Sequence, residues 1–148
     1  MNRYKSISGA ILCAALISGC ATNVPLQRTQ TAALVKGASV ADVNLVVGKS
    51  TSIASHQFSS QGKAFDARHF NVQTGTKQQT QMVCAPTCFP IFISVPVTDT
   101  YVIVFETPKQ QLFAWGTLEE LSRSPDEGIS AIMPDLKKSS DVVRQVKK

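Results

Sequence analysis

Cys84-Ala85-Pro86-Thr87-Cys88 places two thiols four residues apart across a proline. In an oxidising compartment that spacing suits a small disulfide ring. A redox switch is the weaker reading. The two-residue spacing of dithiol motifs is missing, and no neighbouring charge would lower a thiol pKa. A metal site would need His56 or His69, and neither stands at a recognisable ligand spacing from the cysteines. Each histidine reads as an ordinary surface or half-buried residue, and no metal or cofactor is expected. No serine lies in a Gly-x-Ser-x-Gly elbow. Glu119 and Glu120 fall at a helix start and Asp126 and Glu127 in a turn, where solvated charge is the default. No catalytic residue is assigned. Phe113 and Trp115, with Tyr101 and Phe105 across a hairpin, concentrate aromatic area. They read as core or as partner-binding anchors, because aromatics are enriched at interface centres.

The chain has 148 residues, 43% hydrophobic and 17% charged, with a net charge of +5. That excludes a disordered or low-complexity chain and leaves room for one domain. Arg3 and Lys5 precede an uncharged, mostly apolar stretch from Ile7 to Ile17. The stretch is too short to span a bilayer, which takes about 20 apolar residues. Charge, short apolar core and small residues together describe an export signal over residues 1–19. Its end, Ile17-Ser18-Gly19-Cys20, resembles the lipobox of bacterial lipoproteins. That resemblance implies a diacylglycerol on the Cys20 sulfur and, after cleavage, an acyl chain such as palmitate on its amine. Cys13 would leave with the signal. Ala21 follows Cys20, and the lack of Asp there favours the outer membrane over the inner. The expected partners are membrane lipid through Cys20 and an envelope protein, with no nucleic acid and no small-molecule substrate.

Behind Cys20, residues 20–36 read as a tether, ending in a short helix at 31–35. The clearest helix lies within residues 37–48. Ser39 and Asp42 form a Ser-x-x-Asp capping box, Val40, Val43, Val46 and Val47 make one stripe, and Gly48 ends it. A strand is expected near 53–58 and a better one over 65–74, with Arg68, Phe70 and Val72 on one face. Thr74-Gly75-Thr76 reads as a turn, after which 78–83 returns as a polar edge strand. Residues 91–97 are apolar but flanked by Pro90 and Pro96, which points to an edge. The strongest strand is 100–106. A turn through Pro108 and a return over 111–115 make a hairpin that is apolar on both faces, hence central and covered. Thr117 caps a helix over 118–123. Residues 134–148 hold Lys137, Lys138, Arg144, Lys147 and Lys148 against two aspartates, and read as a mobile basic tail.

Residues 35–43 (Val-Lys-Gly-Ala-Ser-Val-Ala-Asp-Val) followed by Val47-Gly48-Lys49-Ser50 resemble the SmpA/OmlA (BamE-like) outer-membrane lipoproteins, as do the strands at 101–106 and 111–115. The resemblance implies an α+β fold, with one or two N-terminal helices on a small antiparallel sheet in two layers. The likeness covers about half of the mature chain, in pieces, and the α+β periplasmic domain is expected over residues 37–133. It also implies a non-catalytic binding or scaffold subunit that faces the periplasm and stabilises an outer-membrane protein complex. Two other classes stay open. One is a free-standing ligand-binding or inhibitor lipoprotein, favoured by a stiff Cys84–Cys88 loop outside the sheet. The other is a small envelope enzyme, favoured by a pocket gathering His56 or His69 with an acid.

Overall fold

The computed structural model describes residues 24–146. The expected signal over 1–19, Cys13 and the lipidation site Cys20 lie outside the described residues. The fold is mixed α+β on a five-stranded, mostly antiparallel sheet. In chain order the elements are β1 Leu26–Gln27, α1 Arg28–Ala32, α2 Val40–Val47, β2 Ala54–Ser60 and β3 Lys63–Cys84. There follow β4 Cys88–Glu106, β5 Gln111–Gly116, α3 Leu118–Ser122 and α4 Glu127–Val146. β3 and β4 form the centre. On the outer side of β3, β2 pairs antiparallel with residues 63–69 and β1 pairs parallel at Val72 and Gln73. β5 flanks β4.

Alternation along the strands builds two cores, one on each face. Phe70, Val72, Tyr101, Ile103 and Phe105 meet Val43 and Val47 of α2 and Leu34 behind α1. Phe65, Ala67, Val102 and Val104 meet Leu121 of α3 and Ile132, Met133 and Leu136 of α4. Strands buried on both faces are apolar throughout, as the 100–106 run is. The sheet therefore lies between two helical layers, where the resemblance implied two layers in all. β5 is an edge strand rather than a central one. Its free edge is covered by the approach to α2: Gly37 N–H bonds Leu112 O at 2.8 Å, and Leu112 N–H bonds Ala38 O at 2.8 Å.

The caps follow local sequence. Ser39 Oγ accepts from Asp42 N–H while Asp42 Oδ2 accepts from Ser39 N–H, and Thr117 with Glu120 repeats the arrangement on α3. Gly48 takes φ +61°, which L side chains rarely adopt.

Three expectations are corrected. Residues 20–36 were read as a tether, but within them Leu26, Thr31 and Leu34 are buried and the short helix is α1 at Arg28–Ala32. The basic tail from 134 begins inside α4. Pro134 lacks the N–H that an interior helical position would donate. The helix persists because Ile129, Ile132, Met133, Leu136 and Ser140 recur at helical spacing across that proline, and all face the sheet side. The third correction concerns the turn at Thr74-Gly75-Thr76. It is a bulge: Gln73 pairs with Thr98 and Gly75 with Val97, leaving Thr74 as the extra residue. β3 runs straight on, so the runs 78–83 and 91–97 pair with each other.

Candidate functional site

Past that bulge, β3 and β4 leave the body as a two-stranded arm. Its pairs run from Gly75–Val97 to Cys84–Cys88. β2, β1 and β5 have all ended by then, so among the described residues both strand edges of the arm are unpaired. At ~3.3 Å per residue the arm reaches about 40 Å from the level of Val72 to Cys84. Cys84 and Cys88 are joined as a disulfide, and the three residues between them turn the chain through a cis Ala85–Pro86 peptide.

Directly opposed residues of an antiparallel pair share a face. Val83, Phe89, Ile91, Ile93 and Val95 therefore line one face, interleaved with Gln79 and Gln81. Met82, Pro90 and Phe92 lie on the other with Gln78 and Thr80. Phe92 is 71% exposed, Met82 59% and Phe89 48%. These exposed apolar residues were not singled out from the sequence. The signal that could have found them is the 21 consecutive residues 78–98 without a charge, bounded by Lys77 and Asp99.

At the base of the arm an open cleft of about 820 Å³ is walled by Asp99, Thr100 and His69 on the sheet and by Glu119, Glu120 and Arg123 of the α3 region. Two of its acids are engaged. Glu119 pairs with Arg123 at 2.6 Å, and Glu120 Oε2 accepts from Thr117 N–H at 2.8 Å. Next to Thr100 on β4, burial pushes the Tyr101 hydroxyl above its ordinary pKa, helped by the Glu120 charge.

The two histidines come together, which spacing alone did not show. His56 on β2 and His69 on β3 stack at 5.1 Å between ring centroids. His56 Nε2 lies 2.9 Å from Ser139 Oγ, and His69 Nε2 lies 3.3 Å from His56 Nδ1. Ser139 donates its own proton back to a carbonyl of α4, Asp135 O at 2.9 Å or Leu136 O at 3.0 Å. With the Ser139 hydroxyl directed to those carbonyls, its oxygen accepts from His56 Nε2–H, and the contact ties α4 to β2. Burial holds the His56 pKa below its ordinary value, with Asp66 opposing. Among the described residues no group of three or more His, Cys, Asp or Glu is arranged to hold a metal.

Phe113 and Trp115 are both half-buried and pack into different cores, and both line an open groove with Lys36, Arg123 and Asp126. Phe113 is the extra residue of a bulge in β5, because Ala114 pairs with Val104 and Leu112 with Phe105. The bulge breaks the alternation. Phe113 packs edge-on against Phe65 on the α4 side, with the Lys36 ammonium 5.3 Å above its ring, while Trp115 packs on the α2 side. Lys36 also pairs with Asp126 just before α4, and that hydrogen bond holds the Asp126 carboxyl below its ordinary pKa.

No family model, no curated protein and no solved structure matches this chain.

Proposed function

We propose that the chain is a lipid-anchored binding protein of the bacterial envelope. In this reading acylated Cys20 holds it at the outer membrane, its domain faces the periplasm, and it serves as a non-catalytic scaffold subunit of an envelope protein complex. The observation that carries the reading is the arm. A charge-free ribbon with two open edges and exposed Phe89 and Phe92 is costly to leave in water and is spent on contact. The cleft at its base, walled by charged and hydroxyl side chains, supplies a polar surface beside it. Lipid anchoring confines both surfaces near a membrane-bound partner and raises their effective concentration there. The sequence likeness to the SmpA/OmlA lipoproteins supports the same role.

The test combines two labels. Cys20→Ala is expected to accumulate as a precursor that takes up no labelled fatty acid. Photo-crosslinkers at Thr100 and Arg123 in the cleft are expected to capture one envelope protein, and a crosslinker at exposed Val142 is not. Normal maturation of Cys20→Ala, or equal capture from all three positions, rejects the proposal. The inhibitor reading has one observation in its favour: the Cys84–Cys88 tip is held well outside the body, the shape of an end that enters another protein's cleft. Capture of a single envelope enzyme from Thr87 and none from the cleft positions would select it.

A further inference from the structure

The end of the arm is apolar on both faces: Val83, Phe89 and Ile91 on one, Met82, Pro90 and Phe92 on the other. A protein groove that takes one face or one edge of the ribbon would leave the other apolar face in water. Edge addition along β4 is obstructed, since Pro90 and Pro96 bring no N–H to it. A tip with exposed apolar side chains on both faces, interleaved with uncharged Thr80 and Gln81, suits a medium that surrounds it.

We infer that the outer part of the arm, from Thr80 through Phe92, lies in the interfacial layer of a lipid bilayer. The inference rests on the anchoring proposed above and adds a second, non-covalent contact. Two physical limits set its geometry. The first is the length of chain between anchor and fold. Five residues separate Cys20 from Leu26, and the six steps between the two span at most about 20 Å when fully extended. Leu26 pairs beside Val72, at the root of the arm, so the root stays within about that distance of the acylated residue. An arm of about 40 Å descending about 20 Å meets the membrane at roughly 30° to its plane. The second limit is the backbone. Open strand edges cannot enter hydrocarbon, where no water satisfies them. Contact must therefore be shallow. Phe92 pairs with Thr80, four residues from the tip, which is about 13 Å along the arm. At 30° that length sinks only about 7 Å, within the 5–10 Å depth of interfacial elements. The tether and the open edges thus require the same shallow approach. Gln79, Gln81 and Ser94 then meet headgroups, and the cleft at the root stays in water.

The experiment uses the full processed chain carrying Phe92→Trp, reconstituted into phosphatidylethanolamine–phosphatidylglycerol vesicles with brominated acyl chains. The parent chain, with Trp115 alone, is the reference. Mass spectrometry of the Cys20 peptide and flotation report the anchor independently. The expected result is an acylated, floating protein whose introduced tryptophan emits to the blue and loses most of that added emission to bromolipid, while Trp115 of the parent keeps its own. An acylated, floating chain with water-like, unquenched emission from position 92 overturns the inference and leaves the anchor standing. Blue emission without quenching, rising with protein concentration, assigns the tip to a second copy and also overturns it. Quenching in a chain found unacylated sustains the tip contact and removes the anchor. Neither acylation nor quenching removes both.

Discussion

Leu136 tests the largest departure from the sequence expectation, the docking of residues 134–146 as helix. Its side chain is 0% exposed and sits in the cluster built by Phe58, Phe65, Val102 and Val104. Phe58 and Phe65 stack at 5.3 Å and leave little freedom to collapse into a void. Leu136→Ala removes the transfer energy of the lost carbons and leaves most of the cavity, so a loss of about 3 kcal/mol is expected. For about 120 ordered residues the unfolding entropy is about 0.25 kcal/mol/K, which converts that loss to a Tm lower by about 12 °C. Val142→Ala, on the same helix but 58% exposed, is expected to stay within about 0.5 kcal/mol, or about 2 °C. Thermal melts followed by circular dichroism in detergent compare the two. Equal melting of both variants would mean that α4 is not docked and that the core on this face closes without it.

Ser39→Ala removes the acceptor for Asp42 N–H and is expected to cost about 1 kcal/mol, a Tm lower by about 4 °C in the same assay; an unchanged melt would show that the α2 cap carries no weight. His56 is held neutral by burial, with Ser139, His69 and Asp66 as its neighbours. Its folded pKa lies below the unfolded value near 6.5, so the unfolded chain binds more protons. Its contribution to stability is therefore whole above about pH 6.5 and is lost as pH falls from there through the folded pKa. Urea midpoints at about pH 7.5 and 5.5 are expected to separate less in His56→Gln than in the parent; identical separations would remove His56 from the acid sensitivity. Cys84→Ser with Cys88→Ser opens a ring whose closure is worth roughly 2 kcal/mol of chain entropy. That stabilisation belongs to the arm, outside both core clusters. Amide exchange over 78–98 is expected to quicken while the melt of the body moves by less than about 2 °C, and a body melt that falls with the arm would show one cooperative unit.

Local signals were read well from the sequence. The Ser39–Asp42 capping box, the Thr117 cap, the valine stripe of α2 and the opposite faces of 65–72 depend on residues within a few positions of each other, and the structure has them as expected. The arm was not legible because its two halves give different patterns. Residues 78–83 are polar and 91–97 apolar, so neither shows the alternation of a half-buried strand, and Gly75 between threonines carries turn chemistry that the bulge absorbs instead. α4 was missed because Pro134 and the lysines mark an end by local rules, whereas Ile132, Met133 and Leu136 are held by a sheet far away in sequence. The bulge at Phe113 has no local signature, and it sent Phe113 and Trp115 to opposite faces. Of the candidate residues, only the Cys84–Cys88 pairing could be read from spacing.

The disulfide at the tip also bears on the core at the far end of the ribbon. Normally a strand finds its partner because one register puts oil inside and charge outside, and a slip by one residue reverses that. β4 offers no such guidance where it enters the body: Val102, Ile103, Val104 and Phe105 are all buried, and a slipped pairing would exchange apolar side chains for apolar ones. Cys84 and Cys88 stand opposite each other in the register that holds back to Gly75 and Val97, and the bulge at Thr74 shifts it by one before His69 meets Val102 and Phe65 meets Glu106. A slip by one would set Cys84 against Thr87 or Phe89 and leave both sulfurs without a partner. A chain that is oxidised before its sheet closes therefore has the register of its arm set, and the extra residue at Thr74 carries that register into the body with an offset of one. A bond about 40 Å from the core thus indexes the arm, and the bulge at the arm's root converts that index into the pairing of the core.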